Sequence, residues 1–180
     1  MVWFLIALAL WSFFCISSAH PFSDAIAGRN SDVDLGHRDI TLGGTTLYWT
    51  NMATNQSYCT LEPIDPIDFT ELDILSNDCQ QISNSSKQNP GFWTATDWAR
   101  GANAPWVVLN QYRTCRLSVM RLNGADAAEI GNLDVAQWID QALLDFSDPT
   151  WILPTISTTN CLLDSFPNLV WKLTHPLEPS

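Results

Sequence analysis

Positive charge is scarce in this sequence. Lys and Arg total eight against nineteen Asp and Glu, a formal net charge of −11. A chain this acidic is repelled by nucleic-acid backbones and by anionic lipid surfaces, and its few cations form no cluster. Nucleic acid is therefore not an expected partner. Histidine is scarcer still. His20, His37 and His175 are the three, and none falls between Cys59 and Cys161. No nucleophile-elbow sequence is present, so a Ser-His-Asp triad has no local support. A glycosidase-type pair such as Asp97 and Asp126 is conceivable, but nineteen acids always offer some such pair. Close cysteine pairs are missing too, and no C-x-x-C or neighbouring His pair gives zinc spacing. The densest acidic stretch is Glu62, Asp65, Asp68, Glu71 and Asp73. It has no EF-hand spacing and is stiffened by Pro63 and Pro66, so it reads as a solvated loop rather than a calcium site. No catalytic residue, metal or cofactor is expected, and the chain reads as a non-enzyme.

A long apolar run is also lacking. Val2 to Ile16 is apolar except for Ser12, but about fifteen residues fall short of the ~20 that cross a bilayer. The run closes on Ser17-Ser18-Ala19, small residues suited to signal peptidase, so residues 1–19 read as a secretory signal. No Lys or Arg precedes the apolar core, which departs from the usual pattern. A secreted monomer without a membrane anchor is expected. Residues 20–44 are polar and rich in Asp and Gly, and read as a flexible leader or propeptide. Residues 45–180 then form a single domain.

Cys15 leaves with the signal. Cys59, Cys79, Cys115 and Cys161 remain, an even set in a chain bound for an oxidising compartment. Two bridges closing loops of this size add roughly 2–4 kcal/mol each. Four cysteines permit three pairings, and the sequence alone does not select one. The preferred arrangement joins Cys59 to Cys161, tying the ends of the core, and Cys79 to Cys115, joining a short helix to a sheet.

The pattern between the cysteines gives the fold class. Thr45–Thr50 has β-branched and aromatic character and reads as a strand. Ile67–Thr70 offers a short extended lead-in. Ser76, Asn77 and Asp78 supply oxygens to cap a helix whose first turns are Cys79–Ile82. Asn89-Pro90-Gly91 ends it. Phe92–Thr96, Trp106–Leu109 and Thr114–Met120 read as strands, the last with Cys115, Leu117 and Val119 on one face and Arg116 and Ser118 on the other. A second helix is capped by Asn132, with Asp134 in its first turn. Val135, Trp138, Ile139, Ala142, Leu143 and Phe146 recur at helical spacing and line one face. Asp148-Pro149 stops it. A last extended stretch runs from Trp151 to Cys161, and Pro154 within it suits an edge or a bulge. Leu169–Leu173 is a further apolar piece of the tail. A long amphipathic helix must bury its stripe on a sheet. The expected class is α+β, a two-layer sandwich of a small, mainly antiparallel sheet with two helices on one face, stabilised by disulfides.

The run Ser76-Asn77-Asp78-Cys79-Gln80-Gln81-Ile82, then Trp93, Thr114-Cys115, Ile130-Gly131-Asn132 leading into Asp134-Val135, and finally Cys161, resembles a fungal secreted domain. That domain is the necrosis-inducing factor, also called the extracellular-protein-two effector family. The likeness covers roughly Cys59 to Cys161. It departs at Arg116-Leu117-Ser118 after the third cysteine and at Ile156–Asn160 before the last. The resemblance implies a small cysteine-stabilised effector, and carries over structural cysteines but no catalytic residue.

Two of the nine tryptophans, Trp3 and Trp11, leave with the signal. Trp49, Trp93 and Trp138 are expected in the core. Trp98 and Trp106, flanking a turn-prone Gly101–Pro105 stretch, are the candidates for stacking on a sugar or a partner protein. Asn55-Gln56-Ser57 and Asn84-Ser85-Ser86 fit the N-glycosylation acceptor pattern, at Asn55 and Asn84. The resulting expectation is a secreted, non-catalytic virulence effector that binds a host or competitor protein or glycan. The alternatives are a killer-toxin-like antifungal protein and a cell-wall polysaccharide binder.

Overall fold

The computed structural model describes residues 40–42, 45–67, 72–96, 106–122, 127–161 and 169–178, all within the compact unit Leu35–Ser180. The signal, most of the leader, His20, His37, Asp97, Trp98 and Asp126 lie outside the described residues. In chain order the elements are β1 (Ile40–Leu42), β2 (Thr45–Asn51), β3 (Asp65–Pro66), β4 (Ile74–Leu75), α1 (Ser76–Gln88), β5 (Gly91–Thr96), β6 (Val107–Tyr112), β7 (Cys115–Arg121), β8 (Ala127–Gly131), α2 (Asn132–Phe146), β9 (Trp151–Ile152), β10 (Thr155–Thr159) and β11 (Leu169–Thr174).

The class is α+β, as expected, with two helices and antiparallel strands; among the described residues the strands form three sheets instead of one small one. Their orders are β1-β2-β5-β8, β3-β10-β11-β7-β6, and the ribbon β4-β9. In the four-stranded sheet, cross-strand register places Leu47, Ala95 and Ala128 in one row and Trp49, Trp93 and Ile130 in the next. Leu47, both alanines and Ile130 are fully buried. Ile40–Leu42, assigned to the leader by composition, pair with β2 as its edge strand. Gly91 pairs with Asn51 at the end of the β2–β5 ladder, and a Cβ there would run into the Trp49 indole and the Thr50 carbonyl. That close approach requires glycine.

The five-stranded sheet carries both helices on one face. Cys115, Leu117 and Val119 share a side by the two-residue period, and Trp171 lies opposite Val119. The Cys79–Cys115 bridge brings α1 to that side. Trp138 of α2 stacks on Trp171 there, with ring centroids 5.5 Å apart and planes 9° from parallel. Both indoles are buried. A tryptophan buries roughly 200 Å², so each contributes on the order of 5 kcal/mol. The helices run antiparallel. Asn132 Nδ2 donates to the Ser86 carbonyl (2.9 Å), Ser83 Oγ to Asp140 (2.5 Å), and Ser76 Oγ to the Asp148 carbonyl (3.1 Å). The Lys87–Asp140 ion pair (2.6 Å) is solvent-exposed on both sides and adds little.

Periodicity marks neither β8 nor β11. The first, Ala-Ala-Glu-Ile-Gly, is made mostly of residues with low strand propensity. The second is buried on both faces at Leu169, Val170 and Trp171, so it shows no alternation. Yet β11 is the central strand of its sheet. Pro154 sits where the chain leaves the β4–β9 ribbon and enters β10, so it breaks no ladder, and its carbonyl accepts from Ile67 N (2.8 Å). Among the described residues no helix is long and apolar enough to cross a membrane.

Candidate interaction surface

The cysteines pair as Cys59–Cys161 and Cys79–Cys115, separated by 102 and 36 residues. Each bridge has a polar brace beside it. At the shorter one, the dipeptides Asp78-Cys79 and Thr114-Cys115 dock side by side. Asp78 Oδ2 accepts from Thr114 Oγ1 (2.7 Å) and Thr114 N (3.2 Å), and Thr114 Oγ1 in turn accepts from Leu75 N (2.9 Å). This corrects the expected helix cap. Asp78 is drawn inward by Thr114, α1 begins at Ser76, and no side chain caps it.

The second brace holds the loop before Cys59. Asp134, fully buried, accepts from Ser57 Oγ (2.7 Å), Tyr58 N (2.8 Å) and Gly131 N (2.7 Å). Asn132 is the first residue of α2 rather than its cap, and Gly131 takes the cap position. The reason is that the Asn132 side chain is fully used elsewhere. Its Oδ1 accepts from Gln56 N (2.8 Å) and Gly91 N (3.3 Å), and its Nδ2 donates to Asn55 Oδ1 and the Ser86 carbonyl, both at 2.9 Å. Gly131 is required because a Cβ would collide with the Gln56 carbonyl and Ser57 N. The buried Asp and Asn of these motifs are thus consumed in holding loops to helices.

Burial pushes the Asp134 carboxyl above its ordinary value, against the downward pull of the hydrogen bonds from Tyr58 N, Ser57 Oγ and Gly131 N. The folded chain therefore binds this proton more readily than the unfolded one. The stabilisation that follows is fully present below the ordinary aspartate value of ~3.9 and is lost as pH rises through the raised folded value. Asp134→Asn can keep the geometry, with its oxygen accepting from both backbone donors and its amide donating to Ser57. The stability of the parent relative to D134N should therefore fall between acidic pH and neutrality in urea titrations. Asp134→Ala strands three donors and should cost about 3 kcal/mol or more at either pH. A parent-to-D134N difference that stays flat with pH contradicts this assignment.

The sequence-chosen surface aromatics are distributed differently from expectation. Trp106 is half-buried, and its ring carries Lys172 Nζ 4.3 Å from the centroid. One face of that indole is therefore occupied from within. Burial first, and the neighbouring Arg116 second, push the Lys172 amine down, while Glu178 pulls it up. Arg116 itself is buried on the sheet face away from the helices, as its alternation implies, and donates to the carbonyls of Pro176 (3.0 Å) and Glu178 (2.9 Å). Trp98 lies outside the described residues. Trp49 and Trp93 meet at 5.0 Å, half-buried.

Among the described tryptophans the exposed one is Trp151, in the extended stretch that follows α2. It faces Leu75 across the β4–β9 ribbon, and both are exposed, at 38% and 40%. The signal that could have found it is Asp148-Pro149-Thr150. An Asp that stops a helix and turns the chain presents the next residues at the surface. Asn55 and Asn84 are both exposed, Asn84 on α1 and Asn55 with its Oδ1 held by Asn132. Among the described residues no group of three His, Cys, Asp or Glu could hold a metal ion.

A family model, Hce2, described as "Pathogen effector; putative necrosis-inducing factor", matches residues 58–161, more than half of the chain. No curated protein matches it.

Proposed function

The chain belongs to the Hce2 family of pathogen effectors, and on that premise we propose that it acts outside the producing fungal cell, binding a host or competitor molecule without turning it over. The observation that carries this reading is the use of the family segment's buried carboxylates. Asp78 and Asp134 are spent on loop bracing beside the two disulfides. What such a core supports is a fixed exterior, and recognition by a fixed exterior loses little entropy on binding. Secretion follows in this reading from the apolar opening segment and the two bridges. N-glycans on the exposed Asn55 and Asn84 belong to it as well, and an absence of any endoglycosidase-sensitive mass would remove them.

Infiltration of the purified oxidised protein into plant leaves tests the reading. A local response is expected from the oxidised form and not from a reduced, alkylated control. Equal inertness of both across many hosts counts against an effector role in plants. A growth-inhibition halo on fungal lawns with no leaf response would instead favour the antifungal alternative.

A further inference from the structure

Among the described tryptophans, Trp151 alone is exposed at the surface with no internal use. Trp138 stacks on Trp171, Trp49 meets Trp93, and Trp106 carries Lys172. The backbone beneath Trp151 is fixed. Asp148 Oδ1 accepts from Thr150 N (2.6 Å) and Trp151 N (2.7 Å), Asp148 N donates to the Trp151 carbonyl (2.9 Å), and Ser76 N donates to the Thr150 carbonyl (3.1 Å). Three exposed polar residues flank the ribbon in the chain: Asp73 just before β4, Asn77 in the first turn of α1, and Asp148 in the turn before β9. Arg113 stands at the tip of the β6–β7 hairpin, at φ 48° and 5.3 Å from the Tyr112 ring. The adjoining Thr114 takes the Leu75 N–H, so the hairpin tip adjoins the ribbon at β4.

We propose that Trp151 is the stacking platform of a site for a neutral glycan chain, with Asp148, Asp73, Asn77 and Arg113 as its polar rim. This rests on the reading of the protein as a binder and names the class of ligand. Charge argues for neutrality, since a chain of net −11, with exposed Asp73 and Asp148 flanking the ribbon in the chain, repels an anionic ligand. Those carboxylates, with an amide and a guanidinium, are acceptors and donors for sugar hydroxyls. The indole takes the apolar C–H side of a sugar ring while its rim stays wet. Size argues the same way. Trp151 and Leu75 offer far less than the ~800 Å² per partner of a standard protein interface. A single indole is enough for one stacked sugar.

The test titrates chitohexaose, laminarihexaose, cellohexaose and mannohexaose, each to millimolar concentration, into the oxidised secreted protein while following indole N–H signals by NMR. At least one is expected to shift the Trp151 signal saturably. Trp151→Ala should weaken that binding at least tenfold, Trp151→Tyr should retain it within a few-fold, and Trp106→Ala should leave it unchanged. Trp151→Ala should keep the parent melting behaviour, which separates lost binding from lost fold. Glycan binding unaffected by Trp151→Ala, or no Trp151 shift with any of the four, overturns the inference. If no glycan binds but Trp151→Ala abolishes the leaf response, the platform serves a protein, and the glycan assignment fails while the binder reading stands.

Discussion

A chain trimmed to residues 58–161, the span that matches the effector family, should not fold on its own. The trim removes β11, which lies between β10 and β7 and pairs with both along its length. It also removes Leu169, Trp171 and Leu173, all fully buried. Trp138 would lose the ring it stacks on, and a large cavity of this kind costs about 3–5 kcal/mol by itself. On the other side, β1 and β2 would go, leaving β5 and β8 as a two-stranded ribbon with a bare edge. Isolated two-stranded ribbons are marginal in water. Leu169 and Leu173 add about 2–5 kcal/mol each, and with the lost ladders these terms reach the total stability of a domain this size, about 5–15 kcal/mol. Denaturant titration should show no cooperative transition for 58–161 and a single one for residues 35–180. A cooperative transition in the shorter chain would show that the flanking strands are accessories.

The second large effect concerns the long bridge. Replacing Cys59 and Cys161 together by Ala opens a loop of 102 residues, and replacing Cys79 and Cys115 opens one of 36. Chain entropy scales with the logarithm of loop length, so the first should cost about 4–5 kcal/mol and the second about 3–4 kcal/mol. The ends of the long loop stay in register through Thr60 N to the Asn160 carbonyl (2.9 Å) and Thr159 Oγ1 to the Thr60 carbonyl (2.6 Å). The native state is therefore changed little, and the effect falls on the unfolded chain. Urea unfolding of the two double variants measures it. A loss under about 1 kcal/mol for the Cys59/Cys161 variant would contradict the argument.

Elements with a strong period were legible from the sequence. The stripe Val135, Trp138, Ile139 and Ala142 of α2 is buried as its spacing implies, and Cys115, Leu117 and Val119 share the helix-facing side of β7. What stayed hidden follows from physical causes. A strand buried on both faces has no alternation, which is why β11 reads only as an apolar tail. Ala127–Gly131 is mostly Ala, Glu and Gly, residue types that carry weak strand signals. Asp78 and Asn132 look like helix caps because their types suit that role, whereas Asp134 lies in the first turn of α2 as its position implies. The oxygens of the first two are instead taken by Thr114 and by Gln56 and Gly91, partners 36 and more residues away that no local rule reveals. Trp106 and Trp151 differ in exposure through tertiary contacts, since Lys172 lies over one ring while the other stays 38% exposed.

Both bridges underlie every step from core to surface, so their identity is the most direct thing to measure. A non-reducing peptide map of protein recovered from culture medium should contain Cys59 linked to Cys161 and Cys79 linked to Cys115, with no free thiol among the four. Cys59 joined to Cys79, or an unpaired thiol in the secreted product, would contradict the account.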